Sequence, residues 1–95
     1  MNRHTTQPMR LLPWVGAEGK PCYLIGDGTG YVSRLADNIE SVQLGMAVDL
    51  LDHTDDLLSD RSATPEQLRY GIARLAESLR HVHGIARSRG ARLTG

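Results

Sequence analysis

The sequence predicts a mainly α fold: an antiparallel two-helix hairpin with a small N-terminal β-hairpin or extended cap, completed by oligomerisation. Aliphatic residues recur every three or four positions over residues 33–60 and again over 64–90, which is the period of an amphipathic helix. The short polar connection DRSAT folds the second helix back on the first. The chain of 95 residues has one Trp and no Phe, so its core is thin and a second copy would extend it.

The N-terminal third differs in character from the rest of the chain. Residues 1–10 show no periodicity, and we expect them to form a mobile tail before a single domain over 11–95. Within residues 11–32, the β-forming runs LLPWV and PCYLI flank GAEGK, whose glycines suit a turn with positive φ. This pattern favours a β-hairpin or an irregular extended cap, although Pro13 and Pro21 argue against a regular ladder.

Helix 1 is expected over residues 33–60, after the glycine run GDGTG, with Ser33 or Thr29 as its cap. Its apolar residues at steps of three and four define one helical face. We expect this face to pack against helix 2, with His53 partly buried within it. The face comprises Leu35, Ile39, Val42, Met46, Leu50, His53 and Leu57.

Helix 2 is expected over residues 64–90. Thr64 as cap, Pro65 at the first helical position and Gln67 three residues after the cap form a capping box. Arginines near the end, followed by Gly90, favour termination there. The predicted apolar stripe comprises Leu68, Ile72, Leu75, Leu79, Val82 and Ala86.

Charge is divided between the two helices. Residues 33–60 hold seven acids and one Arg, a net charge of −6, whereas residues 61–95 hold seven Arg and two Glu, a net charge of +5. Exposed ion pairs each contribute only about 0–1 kcal/mol, so apolar burial is the expected main stabilisation. The Arg side of helix 2 raises nucleic acid as a partner, but the formal net charge of zero makes nucleic acid the less favoured interpretation.

Two motifs have some features of ligand sites. The loop Gly26–Gly30 precedes a helix, where anions bind, but it lacks the G-x-G-x-x-G order, and Tyr31 stands where a P-loop has Lys. Asp49, His53 and Asp56 have metal-ligand spacing on a helix, yet His53 falls within the apolar stripe. A simple turn and a structural histidine are the favoured interpretations.

No pattern of catalytic residues stands out. Cys22 follows Pro21 rather than opening a helix, which favours a structural thiol. We expect no catalytic, cofactor-binding or metal-binding residues and no cofactor, and an enzyme is the less favoured class. The lone Cys22, with no run of about 20 apolar residues, leads us to expect a cytoplasmic protein without a membrane partner.

A second apolar surface of helix 1 carries the functional hypothesis. Its members lie nearly opposite Leu35, Met46 and His53 at about 100° per residue, so helix 2 alone cannot cover both surfaces. Either the N-terminal β-hairpin folds over the second surface and leaves a monomer, or another chain covers it, and we favour another chain. We expect a homo-oligomeric protein-interaction module, accessory or regulatory, with a dimer favoured. One alternative is a small-ligand-binding protein or small enzyme near Gly26–Gly30; another is a nucleic-acid binder through the Arg face. The expected partner-binding residues are Leu44, Val48, Leu51 and Leu58.

Overall fold

The structure, a computed structural model, describes residues 9–26 and 28–94, with side chains as far as Gly90. Four main elements follow one another: β1 (Met9–Val15), β2 (Pro21–Ile25), α1 (Tyr31–Ser59) and α2 (Pro65–Thr94). The prediction of a mainly helical fold with a helical hairpin and a small β-hairpin is therefore confirmed. Of the expected tail, residues 1–8 lie outside the described part, and residues 9 and 10 belong to β1.

The two strands pair antiparallel, with Leu11 opposite Tyr23 and Val15 opposite Pro21. The ladder is irregular between Leu11 and Val15, where Pro13 has no N–H to donate. A short 3-10 turn, Ala17–Gly19, joins the strands. Gly19 adopts a φ of 71°, a left-handed conformation that glycine takes at little cost.

The helix α1 begins two residues earlier than expected. Its N-cap is Gly30, in an extended conformation, and neither Ser33 nor Thr29 holds that position. Ser33 lies inside the first turn and is buried, where its backbone oxygen accepts a hydrogen bond from the β1 residue Arg10. Ser33 is therefore a buried residue of the first helical turn that contacts the hairpin, rather than the cap.

The predicted start of α2 is confirmed by a reciprocal capping box. The backbone N–H of Gln67 donates to Thr64 Oγ1 at 3.1 Å, and the backbone N–H of Thr64 donates to Gln67 Oε1 at 2.8 Å. At the other end, α2 continues through Gly90 to Thr94, so the prediction that Gly90 stops it is wrong. Glycine costs a helix only about 1 kcal/mol and does not end one by itself.

The connection between the helices is held by Asp60. Its Oδ1 accepts hydrogen bonds from the hydroxyl of Ser62 at 2.6 Å and from the backbone N–H of Ser62 at 2.9 Å. Because both bonds favour the carboxylate form, the hydroxyl contact first, they lower the pKa of Asp60 below its ordinary value. The tight turn brings α2 back along α1.

The molecule is long and its core is thin. Its extents are 64 × 26 × 23 Å and its radius of gyration is 17.3 Å, whereas a compact domain of about 100 residues has a radius of about 13 Å. Among the described residues, Ala36 and Ile85 are the buried hydrophobic side chains. Little apolar surface is thus removed from water within one chain. The buried polar or charged residues are Arg10, Ser33, Glu40 and Ser88.

The residues that α1 turns inward differ from the predicted stripe. Leu50 and Leu57 are half-buried as expected, but Leu35, Met46 and His53 are exposed, so the predicted stripe is mostly wrong. Small and polar residues take most of the inward positions, and Leu50 and Leu57 take the others. The inward positions of α1, again at steps of three and four, are Ser33, Ala36, Glu40, Gln43, Ala47, Leu50, Thr54 and Leu57.

The same shift occurs in α2. Leu68, Ile72 and Leu79 are exposed although the periodicity predicts them to face α1. A Cβ atom added to the buried Gly71 would lie 3.0 Å from Leu57 Cδ1, so glycine permits the close approach of the helices. The inward positions of α2 are Gly71, Leu75, Ser78, Val82, Ile85 and Ser88.

Candidate functional site

Arg10 of β1 anchors the β-hairpin on the helices. Its Nη1 donates to the backbone oxygen of Ser33 at 3.0 Å, and its Nη2 lies 2.7 Å from Asp37 Oδ1 and 3.1 Å from Glu40 Oε2. Glu40 is only 1% exposed, and its other oxygen, Oε1, lies 3.7 Å from Arg89 Nη2. A buried carboxylate therefore joins β1, α1 and α2.

These contacts stabilise the charged form of Arg10. Burial alone would lower the pKa of the guanidinium, but hydrogen bonds and charge interactions with Asp37 and Glu40 outweigh it and raise the pKa above its ordinary value. Sequence reasoning missed this group because Arg10 falls in the expected tail. Glu40 is the residue in the sequence that could have indicated this group, because it is a charged residue spaced at helical intervals from Ala36 and Ala47, which both face inward.

Two further hydrogen bonds connect β1 with the helices. The hydroxyl of Ser88 donates to the backbone oxygen of Leu11 at 3.2 Å, and Gln43 Nε2 donates to the backbone oxygen of Pro13 at 3.4 Å. The irregular strand has backbone oxygens available for side-chain donors. The hairpin is thus attached to the helices by these two hydrogen bonds in addition to the ion pairs of Arg10.

One side of the helix pair, the groove side, carries the hairpin and a chain of depressions. A cleft of about 380 Å³ lies between the hairpin and the helices. It shares Gln43 and His81 with a small depression, which shares Met46 with a third depression reaching Tyr70. These shared residues place the hairpin, Met46 and Tyr70 on the same side of the molecule.

The opposite side, the open side, is apolar and exposed. At about 100° per residue, Leu51 lies about 140° round α1 from Met46, and Ile72 lies about 160° round α2 from Tyr70. Leu51 is 59% exposed, Ile72 66% and Leu79 68%. We define the open side by Leu44, Val48, Leu51 and Leu58 of α1 and by Leu68, Ile72 and Leu79 of α2.

The aliphatic residues of the open side form one band across both helices. Since Leu57 meets Gly71 and the helices are antiparallel, Leu51, six residues earlier, is level with Glu77 of α2. It therefore lies beside Leu79, and Leu58 lies close to Ile72. Exposed bands of this kind are typical of interaction surfaces.

Opposite charges border this band. Asp55 lies about 40° further round α1 than Leu51, and Arg69 lies about 60° further round α2 than Ile72, both away from the contact between the helices. Both residues are exposed. The open side thus has an acidic edge on α1 and a basic edge on α2.

The four expected partner-binding residues lie on the open side with different exposure. Leu44 is half-buried, whereas Val48, Leu51 and Leu58 are exposed. These three residues are accessible to another chain. Sequence reasoning did not include Ile72 and Leu79 in this surface because their spacing fits a stripe facing α1.

The other sites considered in the sequence are the possible metal ligands around His53, the glycine loop and Cys22. His53 is exposed rather than partly buried, and within residues 9–26 and 28–94 no cluster of three or more His, Cys, Asp or Glu residues is arranged to hold a metal. Asp27 of the glycine loop lies outside the described residues, and Cys22 is a half-buried free thiol. No helix in the described part of the chain is long and apolar enough to cross a membrane.

The fold and the open side define a helical hairpin with an attached β-hairpin and an exposed apolar band. The chain matches no family model, and comparison with curated proteins and with solved structures finds no match either.

Proposed function

We propose that this protein is a homo-oligomeric interaction module, accessory or regulatory in role, that dimerises through its open side. Leu44, Val48, Leu51 and Leu58 would contribute the α1 half of the interface, and Ile72 and Leu79 part of the α2 half. The observation that carries the proposal is the exposure of this aliphatic band on the side opposite the hairpin. A second copy would supply the apolar layer that the thin single-chain core lacks.

The energetics support association. Complete burial of an exposed aliphatic side chain contributes about 1.5–3 kcal/mol, and a side chain already partly covered contributes about 1 kcal/mol or more. Six exposed residues per chain give about 12 kcal/mol for a dimer, against an association cost of about 4–15 kcal/mol. The difference is at most about 8 kcal/mol, which corresponds to a dissociation constant no tighter than about 1 μM, so a dimer at tens of micromolar protein lies within these magnitudes. The six are Val48, Leu51, Leu58, Leu68, Ile72 and Leu79.

The division of charge favours one arrangement of the two copies. A twofold axis parallel to the helices places each α1 on the partner's α2, whereas an axis across them places α1 on α1. The segment 33–60 carries −6 and the segment 61–95 carries +5, so only the parallel axis sets acidic helix against basic helix. Every adjacent pair of helices would then be antiparallel.

This arrangement brings particular charges together. Asp55 is level with residue 73 on α2, which is four residues, or about 6 Å of helix, from Arg69. Because a parallel axis preserves these levels, Asp55 of one chain approaches the partner's Arg69 within the reach of both side chains. Such pairs at the edge of an interface set its orientation more than its strength.

Leu51→Glu tests the proposal, with Val42→Glu as its matched control. The two positions have similar exposure, 59% and 61%, but Val42 lies outside the open side. We expect Leu51→Glu to reduce the mass measured by light scattering from dimer to monomer while far-UV circular dichroism retains most of the helix. Val42→Glu should remain dimeric. A Leu51→Glu protein that stays dimeric, or a Val42→Glu protein that dissociates, would refute the proposed interface.

A further inference from the structure

The cleft on the groove side has apolar walls and a volume that suits a small molecule. Its volume of about 380 Å³ lies within the range of about 300–1,000 Å³ for ligand pockets, near the lower end. The hairpin contributes an apolar wall that includes Leu12 and Trp14, and α2 contributes Gly84 and Ile85. A molecule of one or two aromatic rings fits this size, and the ring of Trp14 offers a surface for stacking.

The charge of the cleft that has no partner is positive. Both of its carboxylates are paired, since Glu40 Oε2 lies 3.1 Å from Arg10 Nη2. In the same way, Glu77 Oε1 lies 2.7 Å from Arg74 Nη1. Arg80 also lines the cleft, but its guanidinium forms no ion pair or hydrogen bond with any residue that the structure describes. A ligand with a single negative charge would complete the pairing.

Gly84 leaves space for such a ligand beside Arg80 and His81, which both line the cleft. At about 100° per residue, Gly84 lies between these two residues round α2, about 40° from Arg80 and about 60° from His81. Both are within about 6 Å of Gly84 along the helix axis. A Cβ atom added to Gly84 would meet no atom within 4 Å. An anion over Gly84 would therefore be within reach of a guanidinium and of an imidazole, which carries at least one N–H group.

We propose that the cleft beneath the hairpin binds a small aromatic carboxylic acid in its ionised form. The rings lie against Trp14 and Ile85, and the carboxylate lies at the edge of the cleft, where Arg80 donates hydrogen bonds to it. The single charge of a carboxylate matches the one unpaired guanidinium, whereas a phosphate ester carries nearly two charges at pH 7. This site goes beyond the proposed dimer, because it lies on the side opposite the open side.

The compounds 2-naphthylacetate and 2-naphthylacetamide form a matched pair of probes, because the amide keeps the shape of the acid and removes its charge. Binding is followed by ¹H–¹⁵N NMR of labelled protein, in which Trp14, the single Trp of the chain, gives one indole signal. We expect saturable shifts of this signal with the acid and about tenfold weaker binding of the amide, which is the lower end of what a hydrogen bond to a charged group gives. Equal affinity for the two probes, or no saturable binding of the acid, would overturn the proposal.

Arg80→Gln tests the contact with the carboxylate, and Arg87→Gln is its matched control. Arg87 is also exposed and lies only about 20° from Arg80 round α2, but it does not line the cleft. Each variant removes one positive charge. We expect Arg80→Gln to bind 2-naphthylacetate about tenfold more weakly and to lose the preference for the acid over the amide, whereas Arg87→Gln should bind like the wild type. Equal weakening in the two variants would indicate general charge attraction and overturn the site.

Gly84→Leu fills the cleft, and Gly45→Leu is its control. Both glycines lie in helix interiors, and an added Cβ would meet no atom within 4 Å at either position. We expect Gly84→Leu to abolish binding of 2-naphthylacetate and Gly45→Leu to retain it. A Leu51→Glu monomer should bind the acid like the wild type, because the open side is not part of the cleft. Undiminished binding to a folded Gly84→Leu protein would place the ligand elsewhere and contradict the proposal.

Discussion

The buried Arg10–Glu40 ion pair offers the sharpest test of how the hairpin is attached. In Glu40→Ala, the guanidinium of Arg10 loses the carboxylate 3.1 Å away but keeps Asp37, whose side chain is 61% exposed. Removing one partner of a buried pair costs about 3–5 kcal/mol. Because Asp37 remains, we expect a loss near the lower end, about 3 kcal/mol in the free energy of unfolding.

Urea unfolding followed by far-UV circular dichroism measures this loss at one fixed protein concentration, since association alters apparent stability. Asp37→Ala is the control: its carboxylate contacts the same guanidinium from an exposed position, so its removal should cost only about 0–1 kcal/mol. Arg10→Met combined with Glu40→Leu should recover most of the loss, because no buried charge is left unpaired and the former partners Asp37 and Arg89 are exposed to water. If Glu40→Ala is no more damaging than Asp37→Ala, the buried pair does not hold the hairpin.

Two further predictions concern the start of α2 and the orientation of the dimer. Thr64→Ala removes the acceptor for the Gln67 N–H and should lower the free energy of unfolding by about 1 kcal/mol; an unchanged urea midpoint would contradict the capping role. Asp55→Arg and Arg69→Asp should each raise the dimer dissociation constant at low salt, and the double variant should restore it, because the α1-on-α2 arrangement sets these positions against each other. Single reversals without effect in sedimentation would favour the α1-on-α1 arrangement.

The local signals in the sequence predicted the elements well. The Thr64 capping box depends on residues three apart, and its chemistry is complete within one helical turn. The hairpin followed from β-forming runs around glycines, and Gly19 indeed takes positive φ. Such features can be inferred from sequence because their energetics are local.

The side of α1 that faces α2 could not be inferred in the same way. α1 has aliphatic residues over more than half of its circumference, so periodicity alone does not select one arc. The choice depends on Gly71, which permits close approach to Leu57, and on Glu40, which pairs with a strand residue 30 positions earlier in the chain. Both are tertiary effects that override local pattern.

The sequence predicted only the α1 part of the proposed interface. Val48, Leu51 and Leu58 were identified from their direction on α1, but Ile72 and Leu79 were assigned to the contact between the helices. Their exposure follows from the rotation of α2 that places Gly71 and Ile85 inward. The proposed interface therefore includes residues of both helices rather than of α1 alone.

The mass of the wild-type protein in solution tests self-association most directly. One chain has a mass of 10.4 kDa, and light scattering at tens of micromolar protein in moderate salt distinguishes monomer from dimer without a label. We predict twice the mass of one chain, falling towards that of the monomer on dilution. A mass of 10.4 kDa that does not change with concentration would contradict the account.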